Sequence, residues 1–434
     1  MRKFVIGAVS AAMVLGLAAC GSDSDDGDGG GGDALDGKGK TLDVWIMKGT
    51  NPDAEPFFDK LNKEFEKKTG AKVNVEYQQW ESAQRKFTTA IEGGPDQVPD
   101  VAEVGTTWVP QFAETGGLVD VTDQVKDAGL DQDLVEGLKD AGTLEGKQYG
   151  MPWYAGVRGL VYRKDIFDKH GLKAPTTWEE LRDVALTLKK EEPDMISFPV
   201  AGGAEMFAMP FVWGAGGEPA VQEGDTWKSA INSPESVEGL QFYTDLATKD
   251  KVSPAKVTTW REDEVAQEFT KGNVAMTISG NWTPKTFLDE APELEGKIAA
   301  APIPGKDGGM SPSFLGGSYL STFDSDKKEL AWEYVKMATT GKFAAEWAEQ
   351  TNYFPGTNTE LKKIADKGDP LVEPFAKQML EAGATVPKTT SYGEIQASQV
   401  VLKLVQSVLK GDQSVQEAAD KAAGEMDDIF AKSE

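Results

Sequence analysis

Apolar residues recur along this chain in two rhythms, one of period two and one near 3.6. Thr41 to Met47 reads as a first strand. A helix follows over 54–68, with Phe57, Phe58, Leu61 and Phe65 on one face and Thr69-Gly70 as its stop. Lys72 to Tyr77 alternates as a strand, 82–92 is helical, and Pro99 to Val104 is a third strand. Strands alternating with helices predict an α/β fold on a parallel, doubly wound sheet. Further on, 157–163 reads as a strand, and Thr177 with Glu180 forms a helix-opening capping box. The spacing predicts helices over 236–247, 262–270, 330–339, 396–410 and 415–430, and extended chain over 300–304 and 315–321. Val274 to Ile278, bounded by Gly272 and Gly280, is a short buried strand, and Asn281-Trp282 stands directly beyond its carboxyl end.

That last position matters because open α/β sheets bind ligands outside the carboxyl ends of their strands. An indole beside an amide suits a sugar, which has an apolar ring face and a rim of hydroxyls. Filling core is the other use a tryptophan has there.

The amino terminus departs from both rhythms. Met1-Arg2-Lys3 is basic, Phe4 to Ala19 is apolar, and Leu17-Ala18-Ala19-Cys20-Gly21 places small residues before a cysteine. The run is short for a membrane span and suits a secretory signal over 1–19. Its end resembles the lipobox of bacterial lipoproteins, which implies a lipid on Cys20 and an anchor at the outer face of the cytoplasmic membrane. Residues 20–40, nearly all Gly, Asp and Ser, read as a flexible tether.

Composition removes several classes. With 434 residues, two or three domains are expected. The 71 acidic against 45 basic residues give a net charge of −26, which disfavours nucleic acid as a partner. One cysteine, Cys20, and one histidine, His170, leave no basis for a Cys/His metal site or a histidine-dependent triad, so no metal or cofactor is expected.

Several segments then occur in a telling order: Val44-Trp45, Phe65 to Gly70, Pro99-Asp100-Val101, Tyr149 to Pro152, Phe167 to Gly171 with Pro175 to Trp178, Gly272 to Met276, and Gly280-Asn281-Trp282. The set resembles the extracellular solute-binding proteins of carbohydrate ABC importers, similar to maltose-binding proteins. The resemblance implies a periplasmic-binding-protein-like fold, with two α/β lobes joined by a hinge of crossing segments and a ligand held between them. It places the crossings near Trp153–Gly156, Phe314–Gly317 and Tyr353–Gly356. One lobe then holds 41–154 and 315–354, and the other 155–314 and 355–434. It also implies a monomeric binding protein, not an enzyme, serving the membrane permease subunits of an importer.

Candidate sugar contacts lie past the strand ends. They are Met47, Asn51 and Asp53 after the first strand, Gln78, Gln79 and Trp80 after the second, and Glu103, Thr106 and Trp108 after the third. Tyr154 stands at the first crossing, Asn281 and Trp282 after the later strand, and Gly317, Ser318 and Tyr319 at the second crossing. The resemblance adds Tyr392, Phe207 and Trp213 as stacking aromatics, for a di- or oligosaccharide. Where relatives carry an aspartate shortly before Trp108, this chain has Gly105-Thr106-Thr107, so Glu103 either supplies that carboxylate or lies buried in its strand. A glycoside hydrolase with Glu103 and Glu394 as its carboxylate pair is the alternative left open by the residues.

Overall fold

The computed structural model describes residues 35–48 and 54–433. The signal sequence, Cys20, most of the tether, Asn51 and Asp53 lie outside the described residues. The last part of the expected tether is packed rather than loose. Leu35 lies against the first core, the Gly37 amide donates to the Thr69 carbonyl, and a turn joins Gly37 to Lys40. One apolar residue among glycines is enough to dock the segment beside the first strand.

Thr41–Lys48 is buried along Val44 to Met47, because helices cover both of its faces. Leu42, Val44 and Ile46 meet Phe57, Phe58, Leu61 and Phe65 of the helix Glu55–Thr69. Trp45 and Met47, one step out of phase, meet Phe87 and Phe112 on the opposite face. The helix stops where Gly70 turns left-handed (φ 79°) and its amide bonds the Glu66 carbonyl. The sheet has five strands in the order Lys72–Gln79, Thr41–Lys48, Val101–Gly105, Gly316–Thr322, Met151–Gly156. The first three run parallel as the pattern predicts, but the last two join antiparallel, so the sheet is mixed.

A second sheet holds Met276–Gly280, Arg158–Arg163 and Ile298–Ala301, with both neighbours antiparallel to the central strand. It has its own core, in which Phe211, Tyr243, Leu404 and Met426 are buried. The molecule is thus two α/β lobes, each around its own sheet.

Three stretches carry the chain between the sheets and lie side by side. Ala155 and Phe354 exchange backbone hydrogen bonds of 2.7 and 2.8 Å, while Gly316 and Gly317 pair with Gly156 and Ala155. A side chain at Gly317 would strike the Tyr154 carbonyl at 2.1 Å, so this close approach needs glycine. The antiparallel pairing of Gly280 with Arg158 brings the carboxyl end of Met276–Gly280 to the start of Arg158–Arg163. Asn281 and Trp282 therefore land on the crossings.

Candidate functional site

Trp282 is half-buried and lies over bare backbone. A methyl group at Gly156 or at Gly280 would come within 2.5 or 2.4 Å of its ring. Behind it stands Tyr353, stacked at 5.1 Å with planes 28° apart, and Tyr353 in turn meets Tyr154 at 4.9 Å. In front is Arg158. Its guanidinium is 5.7 Å from the Trp282 ring and 5.7 Å from Phe314, and is held by Glu262 at 2.8 and 3.0 Å. Phe314, on the other side of that guanidinium, lines a crevice of about 580 Å³ together with Glu205, Met206, Arg261, Glu262 and Gln396.

The end of the strand Val101–Gly105, in the other lobe, carries a second aromatic pair. Trp80 and Trp108 meet edge to face at 5.1 Å and straddle Gly105, whose missing side chain would sit 3.3 Å from Trp80. Thr106, next along, bonds the Gly317 carbonyl through both its amide and its hydroxyl. A gap of about 20 Å³ separates Thr106 and Thr107 from Phe314 and Tyr392, little more than the room one water needs. Phe314 borders both this gap and the crevice, so the two lobes face one another across it.

Not every candidate faces this space. Glu103 is buried. One of its oxygens accepts the Met47 amide at 2.9 Å, and the other accepts the Tyr154 hydroxyl at 2.9 Å. Desolvation pushes its carboxyl up to about 7, although the bonds from Met47, Ser318 and Tyr154 pull the other way. Glu103 and Tyr154 thus spend their polar atoms on each other beneath the cleft floor. Met47 turns its side chain into core. Tyr319 is fully buried and gives its hydroxyl to the Leu138 carbonyl. Phe207 is a core residue of the helix Glu205–Gly214. Trp213, at the far end of that helix, donates its indole N–H to Glu218 at 3.1 Å and lines a different cavity. Gln79 is exposed at the start of the helix Trp80–Gly93.

Asn281 is 2% exposed. Its oxygen takes the Val157 amide at 2.9 Å and its nitrogen donates to the Asn352 carbonyl, so it binds the crossings to each other. Tyr392 is buried beside the narrow gap, with its hydroxyl 3.3 Å from Glu205. Burial pushes Glu205 up to about 7. Arg158, Glu205, Glu262, Phe314 and Tyr353 escaped the sequence reading. Phe314 and Tyr353 open two of the expected crossings and Arg158 stands two residues past the first, which is the available signal.

The profile of the family described as bacterial extracellular solute-binding protein matches residues 49–344. The diacetylchitobiose binding protein DasA of Streptomyces coelicolor is 31% identical over 439 aligned positions, covering all of both chains. A solute-binding protein of an ABC transporter from Thermotoga lettingae, solved with α-D-tagatose, shares 30% identity with a TM-score of 0.73. The match covers 90% of this chain and all of that one. The sugar-binding protein MalE of Xanthomonas citri superposes with a TM-score of 0.81 at 25% identity, over 91% of this chain and 98% of that one. These relatives bind solutes, which removes the hydrolase reading. The structure agrees, since Glu103 is buried within the strand Val101–Gly105 and Glu394 stands exposed on the helix Tyr392–Ala397. The chain belongs to the bacterial extracellular solute-binding proteins.

Proposed function

We propose that this protein captures a di- or oligosaccharide between its lobes and delivers it to the permease subunits of an ABC importer. The observation that carries the reading is the aromatic cluster at the crossings, where Trp282 stacks on Tyr353 beside Arg158 and Phe314, with the Trp80–Trp108 pair at the end of the strand Val101–Gly105 whose Thr106 bonds the crossing residue Gly317. Indole faces stack on sugar rings, while Arg158, Glu205, Glu262 and Gln396 supply bonds to hydroxyls. A ligand touching both walls binds the closed arrangement more tightly than an open one, and that difference drives closure. The relatives named above, by their names, take diacetylchitobiose, α-D-tagatose or an unspecified sugar, so the support is for a saccharide rather than for one particular sugar.

The finer parts of the proposal rest on sequence. The lobes divide as 41–154 with 315–354 and 155–314 with 355–434. Cys20, after a signal over 1–19, carries a lipid that holds a monomer at the extracellular face of the membrane. Trp282, Trp108, Trp80 and Tyr392 are the proposed stacking residues.

The test is a thermal-shift and tryptophan-fluorescence screen over chito-, cello-, xylo- and malto-oligosaccharides. A ligand at a hundred times its dissociation constant adds about 2.7 kcal/mol of stability. One sugar should raise the melting temperature and change the emission. No response to any sugar in the panel refutes the proposal. Labelling with radioactive palmitate that disappears in Cys20→Ala tests the anchor.

A further inference from the structure

A cavity of about 890 Å³ lies apart from the cleft. It is enclosed by the helix Glu136–Ala141, the end of the helix Glu205–Gly214 with its Trp213, the strand residue Trp227, and the segment 379–388. The segment 385–388 is a shared wall, since it also borders the narrow gap beside Thr106 and Tyr392. The volume falls in the range of small-molecule sites, about 300–1,000 Å³.

We propose that this cavity is a second binding site, separate from the cleft, for a neutral saccharide of about two rings. The two tryptophans give it apolar walls, and Trp213 is held in place by the bond from its N–H to Glu218. Glu218 and Thr385 add hydrogen-bonding groups to the lining. The cations present already have partners. Lys139 pairs with Asp131 at 2.7 Å, and Lys388 pairs with Asp140. An anionic guest would have to break these pairs, whereas an uncharged one leaves them intact. A purely apolar guest would strip water from the carboxylates of Glu136, Asp140 and Glu218 without replacing it. Burial raises the Glu218 carboxyl, which fits an acid able to share its proton with a hydroxyl.

The helix Glu136–Ala141 and the segment 379–388 both line the cavity, so a guest there would touch both. Its affinity is therefore linked to that of the cleft, and by reciprocity each ligand alters the other.

The experiment is calorimetry with maltose, cellobiose, xylobiose and N,N′-diacetylchitobiose on the full mature chain and three variants. Trp282→Ala disables the cleft. The double variants Trp282→Ala/Trp227→Ala and Trp282→Ala/Glu218→Gln then alter the second cavity, with circular dichroism as the check on folding. Binding of at least one disaccharide that survives Trp282→Ala and weakens about tenfold or more in both double variants is the expected result. If no disaccharide binds Trp282→Ala, or if the residual binding ignores both second changes, the proposal is overturned. Wild-type binding that Trp282→Ala leaves wholly unchanged and both double variants weaken would overturn the cleft assignment and leave this one standing.

Discussion

Raising the pH from about 4.5 to about 8 should cost this fold stability through one residue, Glu103. Its carboxyl is sealed between the Met47 amide and the Tyr154 hydroxyl, and the folded state holds its proton up to about 7, against 4.5 for a free side chain. Because the folded value is the higher one, the native state prefers the protonated acid. The stability it contributes is complete below about 4.5, drains away as pH rises toward about 7, and is then lost. At about 1.4 kcal/mol for each pH unit of that interval, the loss is about 3 kcal/mol. Glu205, also raised to about 7, titrates in the same window, so wild type alone cannot isolate the effect. Glu103→Gln isolates it. The amide oxygen can accept from Met47, and the Tyr154 hydroxyl, which donates to the Glu103 carboxyl, can turn to accept from the amide nitrogen. Urea unfolding of both proteins across the range should show curves that nearly coincide near pH 4.5 and separate by about 3 kcal/mol near pH 8, the variant being the more stable. A constant offset, or no separation, would refute the reasoning. Saccharide affinity should stay within about threefold, because the side chain lies under the cleft floor. A much larger loss would mean that Glu103 touches ligand.

Three further outcomes follow from the cleft. Trp282→Ala should weaken saccharide binding by about 1–3 kcal/mol, roughly fivefold to 150-fold, in calorimetry, with little change in melting temperature. Gly156→Ala should weaken it too, since the new methyl would come within 2.5 Å of the Trp282 ring and push it off its bed; unchanged affinity would show that the ring is not seated there. Arg158→Met removes the cation between Trp282 and Phe314 and leaves Glu262 without its partner, so affinity should fall about tenfold or more and become less sensitive to salt in titrations at two ionic strengths.

The individual elements were legible because their signals are local. Phe57, Phe58, Leu61 and Phe65 mark one helix face within nine residues, and Thr177 with Glu180 caps the helix Trp178–Glu191 as its spacing required. Gly280-Asn281-Trp282 drew notice for a similar reason, with glycine and indole on adjoining turns of chain. What stayed hidden depends on distant pairings. The antiparallel register of Gly280 with Arg158 sets the guanidinium before Trp282, yet more than a hundred residues separate them. Tyr353 and Phe314 looked like parts of crossings and nothing more, because only the folded chain lays one against Trp282 and the other against Arg158. Tyr319 goes the opposite way, and of the two readings open for Glu103 the buried one holds. A polar group at a strand end reads as facing ligand, and no local pattern announces that Tyr154 or the Leu138 carbonyl will satisfy it. The parallel sheet that the pattern predicts is broken for the same reason, by the one strand Gly316–Thr322, which arrives from far later in the chain.

Asn281 ties the first pass of chain between the lobes to the third, by bonds to the Val157 amide and the Asn352 carbonyl. Sliding one pass along the other would break both, leaving two buried backbone groups without partners at about 1–3 kcal/mol apiece. The freedom that survives is rotation about a line parallel to them, as in a door whose knuckles are pinned. Trp282, the next residue, therefore rides on the axle itself: a swing of the halves would barely move that one plate, and the saccharide proposed to rest on it would keep its footing.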